Sequence, residues 1–343
     1  MARRNDTARV WTDKRLKKME SEISGIYSEA TKDITKKWNE YMSVSNKEIL
    51  KYQQAYDDAV KSKDAKAISD AWNALKNAKV EQTLENDYYK NMVADTTKKL
   101  AEVNQIAIAY ANNQMPSIYA FNYNSMPSDI KKVITKYDIP FNLADESTVK
   151  RRILDGDIKL PKKKVNIPRD QRWNTKQLNS AVLQGIIQGE PMTDIAKRIL
   201  PIVGNNESAA IRNARTMVTG AECRGRIDRY KDLDEQGVVM KKVWIATGDE
   251  RTREWHLSMD GQEREIDEDF EDGNGNLIQY PGDPSAEPET VYNCRCAIKT
   301  HIIGFRRDDG TISYIEESES DTDSLHDREI EKEKRQRAKG VVR

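Results

Sequence analysis

Between Trp244 and Cys296 the chain gathers the side chains best suited to chemistry. They come in the order Asp249, Arg251, Arg253, His256, Asp260, Tyr280-Pro281-Gly282-Asp283, then Asn293-Cys294-Arg295-Cys296. Cys294, Cys296 and His256 supply three of the four ligands a tetrahedral zinc takes, and Asp260 or Asp283 could complete the set. Side chains alternate along a strand, so Cys294 and Cys296 share a face there, whereas His301 is out of phase with it. One residue between the cysteines is tighter than the usual zinc spacing. The plainer reading is two small buried thiols and a histidine bonded to a turn, with no cofactor. Asp272, Asn274, Asn276 and Asp283 have calcium-loop spacing, but Leu277 sits where the sharp-turn glycine belongs, and a hairpin turn explains them as well. His256 could act as a general base. No His-Asn-His pattern, P-loop or nucleophile elbow accompanies it, so an enzyme is not expected. Asp249, Arg251, Arg253 and Arg295 read as ion pairs that lock the loops.

These loops need a scaffold, and the hydrophobic pattern says which. Leu16, Met19, Ile23, Ile26, Ala30, Ile34, Trp38 and Tyr41 recur every three or four residues, which predicts an amphipathic helix. Val44-Ser45-Asn46 breaks that pattern, and Asn46 is a candidate cap for a second helix through Ser62. A third helical run starts near Ile68 and continues through Tyr110, with Pro116 ending it. Asn174–Ile187 and Asn205–Tyr230 read as further helices, the latter stopped by Gly237. The period then changes: Val238–Ala246 and Tyr292–Ile303 predict strands around a turn at Glu271–Asn276. The fold class is therefore mostly α with a small α+β C-terminal domain, having long N-terminal helices and a short antiparallel sheet near residues 238–303.

The 343 residues carry 57 basic and 57 acidic side chains. That balance hides an asymmetry. Residues 1–200 hold 35 Lys/Arg against 26 Asp/Glu, and residues 201–343 hold 22 against 31. Lys150, Arg151, Arg152, Lys162, Lys163, Lys164, Arg169 and Arg172 concentrate the basic excess in a Pro-punctuated stretch, a candidate contact for DNA phosphates or an acidic protein surface. No run approaches the ~20 apolar residues of a membrane span. No apolar core follows the basic N-terminus, so a secretory signal is not expected. Three cysteines cannot build a disulfide framework, which points to a reducing compartment.

The string Asp249-Glu250-Arg251-Thr252-Arg253, His256, Met259-Asp260-Gly261-Gln262, Phe270, Tyr280-Pro281-Gly282-Asp283-Pro284 and Asn293-Cys294-Arg295-Cys296 resembles the C-terminal domain of phage head morphogenesis proteins, the Mu F-like minor head (minor capsid) proteins of tailed phages. Arg212-Asn213-Ala214-Arg215-Thr216, with Ala221 and Arg226, resembles the helix that opens that domain. Met217 stands where the family commonly has Glu. With the helical pattern before it, the basic stretch and the charged C-terminal residues, the resemblance divides the chain into a helical N-terminal region (1–115), a basic connector (116–173), a Mu F-like domain (174–305) and a charged tail (306–343).

The resemblance implies a structural virion protein. Such proteins enter the procapsid with the portal and scaffold in the host cytoplasm, sit inside the head near the portal, and aid DNA packaging or delivery. The expected partners are the portal protein, with scaffold or major capsid protein and packaged double-stranded DNA as further candidates, and no membrane in the assembled head. The competing expectation is a metal-dependent nucleic-acid-processing or toxin-like enzyme domain.

Overall fold

The computed structural model describes residues 6–81, 87–161, 164, 166–307 and 309–314. In chain order the elements are α1 (Thr7–Ser62), α2 (Ala65–Val80), α3 (Asp87–Asn124), α4 (Ser128–Lys136), α5 (Glu146–Asp155), α6 (Ile167–Ile187), α7 (Met192–Lys197), α8 (Leu200–Glu235), β1 (Val238–Ile245), α9 (Glu254–Leu257), β2 (Glu263–Arg264), β3 (Phe270–Glu271), β4 (Leu277–Ile278), α10 (Pro288–Val291), β5 (Ala297–Arg306) and β6 (Ile312–Tyr314). The fold class read from the sequence is the observed one: mostly helical, with a small C-terminal antiparallel sheet.

The first two expected helices are a single one. α1 runs through Val44-Ser45-Asn46 without a break. These residues are only mediocre helix formers, and no Pro interrupts them, so each costs a few tenths of a kcal/mol. That is too little to end a helix whose apolar stripe continues to buried Ile49. Pro116 likewise fails to end α3 and lies inside it. A mid-helix proline costs about 3 kcal/mol. The turns around it bury Met115, Ile118, Tyr119, Ala120 and Tyr123, and burying even two large side chains outweighs that cost. The residues from Ser117 to Asn124 are therefore the last part of α3.

Two compact units divide the chain. One is helical, formed by residues 18–113 and 162–214. Its core is the predicted stripe of α1, including Met19, Ile23, Ile34 and Trp38, with Leu100 of α3 and Leu178 and Val182 of α6. A file of amides runs through it. The Tyr27 hydroxyl bonds Asn104, Asn104 donates to Asn206 at 3.0 Å, and Asn206 donates to Asn174 at 2.9 Å. Buried amides are costly unless paired in this way.

The other unit comprises residues up to 17, residues 114–161 and everything from Arg215 onward. Its sheet has the order β2-β1-β5-β6, antiparallel throughout. Val238 pairs with Phe305 and Ile245 with Ala297, with a bulge between Val239 and Met240. β3 and β4 form the expected hairpin. Asp272 closes it by accepting from the backbone of Asn274 and Asn276 at 2.8 and 2.9 Å, so the residues with calcium spacing act here as a turn. β6 lies within the expected charged tail, of which residues 308 and 315–343 are outside the described residues. The C-terminal half of α8 is covered on all sides. Apolar Met217, Ala221, Ile227 and Leu233 are buried, and so are Thr216, Thr219, Glu222, Arg226 and Arg229.

Gly225 sets the approach of α3 to α8: a Cβ there would meet the Tyr119 carbonyl oxygen at 2.5 Å. Alanine inside a helix ordinarily gains about 1 kcal/mol over glycine. At this position the sign is expected to reverse. Gly225→Ala should lose about 1–3 kcal/mol through the clash, read as a lower urea midpoint.

Candidate functional site

The candidate residues are assembled around α8. Asn293 adopts the left-handed backbone conformation (φ 57°), which asparagine tolerates better than most residues. Its N–H donates to the Thr216 hydroxyl at 2.8 Å, and Arg215 donates to its side-chain oxygen at 2.9 Å. Two residues of the helix motif therefore fix the start of Asn293-Cys294-Arg295-Cys296. Thr219 adds a third tie by donating to the Cys294 carbonyl at 2.8 Å.

The cysteines meet His256, but not on the expected strand. β5 begins at Ala297, and both thiols lie in the loop before it. His256 is on α9, with Nδ1 at 3.5 Å from Cys294 Sγ and 3.6 Å from Cys296 Sγ. All three side chains are buried. Trp244 and Trp255 present their rings edge-on to the imidazole at 5.8 and 6.5 Å. The hydrogen bond between the two free thiols, and burial, push the Cys294 thiol up. The same bond, with help from His256, pulls the Cys296 thiol down.

Asp260 and Asp283 do not join this cluster among the described residues. Asp260 accepts from the Ala246 N–H at 2.7 Å and so ties the loop back to the end of β1. Asp283 accepts from the Ser285 N–H at 2.8 Å. Beside it Gly282, with φ +81°, lets its turn reach the backbone of Gly220, which a Cβ would meet at 2.6 Å. This is a packing reason for the Tyr-Pro-Gly-Asp string. His301, out of phase as expected, faces Glu263 at 3.1 Å.

Of the expected ion pairs, one dominates. Arg295 grips Asp249 with both guanidinium nitrogens, Nη2 to Oδ1 at 2.7 Å, and this holds the Asp249 carboxyl well below the usual carboxylate range. The Arg251 guanidinium stays 4.0 Å from Asp249 while its backbone N–H donates to that carboxylate at 3.1 Å, and Arg253 donates to the Tyr292 carbonyl at 2.5 Å.

Sequence reasoning missed the group to which this pair leads. Arg9 donates to the Arg295 carbonyl at 2.9 Å and to Glu222 at 2.6 Å. Glu222 lies 3.2 Å from Arg226, which also donates to Asp6 at 2.7 Å and to the Ile298 carbonyl at 3.1 Å. Glu222 is completely buried, and burial pushes its carboxyl up against the pull of the two arginines. The available signal was Glu222 and Arg226 four apart in a run of small apolar residues. Asp6 and Arg9 carried no signal at all.

The basic candidates are not gathered here. Lys150, Arg151 and Arg152 are exposed on α5, and Lys150 pairs with Glu146 at 2.9 Å. Lys164, Arg169 and Arg172 are exposed in the helical unit, the last two on α6. Lys162 and Lys163 lie outside the described residues.

Two outcomes are expected. Glu222→Gln leaves two buried guanidiniums without their shared carboxylate, and should cost about 3–5 kcal/mol in urea unfolding. The second concerns Lys242, buried in β1, which donates to the Gln279 carbonyl at 2.9 Å. Burial pushes its ammonium down to about 8 from 10.5. Between these values the unfolded chain holds a proton that the folded chain has released, so stability rises with pH across that window. Wild type minus Lys242→Met should gain about 2–3 kcal/mol from pH 8 to 10.5. A flat difference contradicts this.

Comparison with known proteins fits this geometry. The family described as Phage Mu protein F like protein matches residues 176–299, which contain α8, the Arg and His loops and the Asn-Cys-Arg-Cys string. The minor head protein GP7 of Bacillus phage SPP1 is 26% identical over 216 residues, 63% of this chain and 66% of its own. The NAD(+)–arginine ADP-ribosyltransferase EFV of Enterococcus faecalis is 24% identical over 280 residues, 81% of this chain and 50% of its own. The chain thus spans half the length of one relative and just under two thirds of the other. No solved structure matches. Residues 176–299 are a Mu F-like domain, and the chain is distantly homologous to a phage minor head protein.

Proposed function

We propose that this protein is a structural minor head protein of a tailed phage, taken into the procapsid through the portal, and that it works without enzymatic activity. The observation that carries this reading is the Mu F-like match across the loops on α8. The polar groups of those loops support it. Asp249 and Arg295 occupy one another, Asp260 caps the Ala246 N–H, and Asp283 closes a turn. Such partners favour a rigid scaffold over groups held ready for substrate. No helix of the described residues is long and apolar enough to cross a membrane.

Within this proposal the helices dock on the portal, and exposed Lys150, Arg151, Arg152, Arg169 and Arg172 meet packaged DNA. The test is co-assembly with the portal followed by analysis of purified heads. The protein should be found with the portal, and its absence from heads overturns the assignment. For DNA, charge reversal of Lys150, Arg151 and Arg152 should weaken binding and flatten the dependence of log K on log salt by up to about 3 units. An unchanged slope removes those residues from the interface.

One observation favours a second reading: the transferase relative aligns with 81% of this chain. Incubating the protein with labelled NAD+ and an arginine-rich acceptor decides it. Transfer of label would replace the non-enzymatic reading.

A further inference from the structure

Cys294, Cys296 and His256 form a triangle of soft ligands inside the C-terminal unit. Their ligating atoms all lie within 4.8 Å of one another. The two sulfur-to-nitrogen edges are 3.5 and 3.6 Å. Zinc bonds of about 2.3 Å to sulfur and about 2.05 Å to nitrogen, at the tetrahedral angle, separate the ligand atoms by about 3.6 Å. Two edges of the triangle therefore match a face of a zinc tetrahedron, and the third lies within 4.8 Å.

The hydrogen bonding points the same way. Only one lone pair, that of Nδ1, faces two thiols, so only one S–H can donate to it. Nε2 is buried and has no hydrogen-bond partner among the described residues, so Nδ1 makes the ring's contacts with both sulfurs. A cation would turn both sulfurs and Nδ1 into ligands at once. Each sulfur also receives a backbone N–H, Cys294 from Cys296 at 3.4 Å and Cys296 from Thr247. Such bonds stabilise thiolates and orient them toward a metal.

We infer that His256 Nδ1, Cys294 Sγ and Cys296 Sγ bind one zinc ion that clips the loop before β5 to α9. Binding forms two Zn–S bonds and one Zn–N bond, and releases the two thiol protons to solvent. No fourth His, Cys, Asp or Glu atom joins the three within their span among the described residues, so water takes the fourth corner. A cavity of about 180 Å³ is lined in part by Thr219, Thr247 and Arg295, which bond or flank the two cysteines. This site is independent of the proposed place of the protein in the head.

The experiment uses the full chain, purified under reducing conditions and dialysed, with zinc measured by elemental analysis. About one zinc per chain is expected. After exchange to cobalt, thiolate-to-cobalt charge-transfer absorption with tetrahedral d–d bands is expected. Cys294→Ser and Cys296→Ser should each weaken that absorption and lower zinc content, whereas Cys223→Ser should change neither. The wild type decides even if the serine variants fail to fold. A wild-type chain that takes up no zinc on addition of the metal alone, shows no thiolate-to-cobalt band, or is isolated with Cys294 and Cys296 joined as a disulfide overturns the site.

Discussion

The C-terminal unit depends on charges buried along one helix. Glu222 and Arg226 sit a turn apart on α8; Glu222 is joined by Arg9 in the first turn of α1, and Arg226 by Asp6 just before it. Two cations and two anions make the group formally neutral. Removing such ions from water costs several kcal/mol each, recovered only when every partner is in place. Here every partner is. Burial opposes the Arg226 cation, but Glu222, Tyr230 and Asp6 outweigh it and leave its guanidinium above its ordinary range. Apolar residues of equal volume could fill the same space with comparable stability, but they would lack the directed contacts of the guanidiniums.

The rest of the unit follows from those contacts. Fixing α8 places Arg215, Thr216 and Thr219, and these hold the Asn-Cys-Arg-Cys loop. The loop in turn carries Arg295 to Asp249 and the two thiols to His256. Two glycines of the same helix allow close backbone approach, Gly225 to α3 and Gly220 to the Gly282 turn. One turn after Gly225, Arg229 lays its guanidinium 4.0 and 4.2 Å from the rings of Tyr123 and Phe141. One helix thus organises elements from widely separated parts of the sequence.

Local features were legible in the sequence. Apolar periodicity gave the α1 stripe, the change of period gave β1 and β5, and Asp272 to Asn276 read as a hairpin turn. Breaks were misjudged where tertiary packing overrode weak signals, as at Val44-Ser45-Asn46 and Pro116. The company of Cys294, Cys296 and His256 was legible from residue type alone, although the thiols share a loop rather than a strand face. Asp6 and Arg9 were invisible because nothing near them in sequence resembles their partners. Periodicity reports which face of an element is buried, and a charge whose partner lies 220 or 286 residues away leaves no mark in it.

Those separations bear on how the chain is made. The first turn of α1 leaves the ribosome before its partners do, and the Arg295 carbonyl that Arg9 binds comes 286 residues later. At about 5–20 residues per second, that interval is roughly 15–60 s. For the first 213 residues of it Arg9 lacks Glu222, and Asp6 waits 220 residues for Arg226, so α8 has no clasp until then. The unit that carries the Mu F-like loops therefore closes only long after its anchor on α1 has been synthesised.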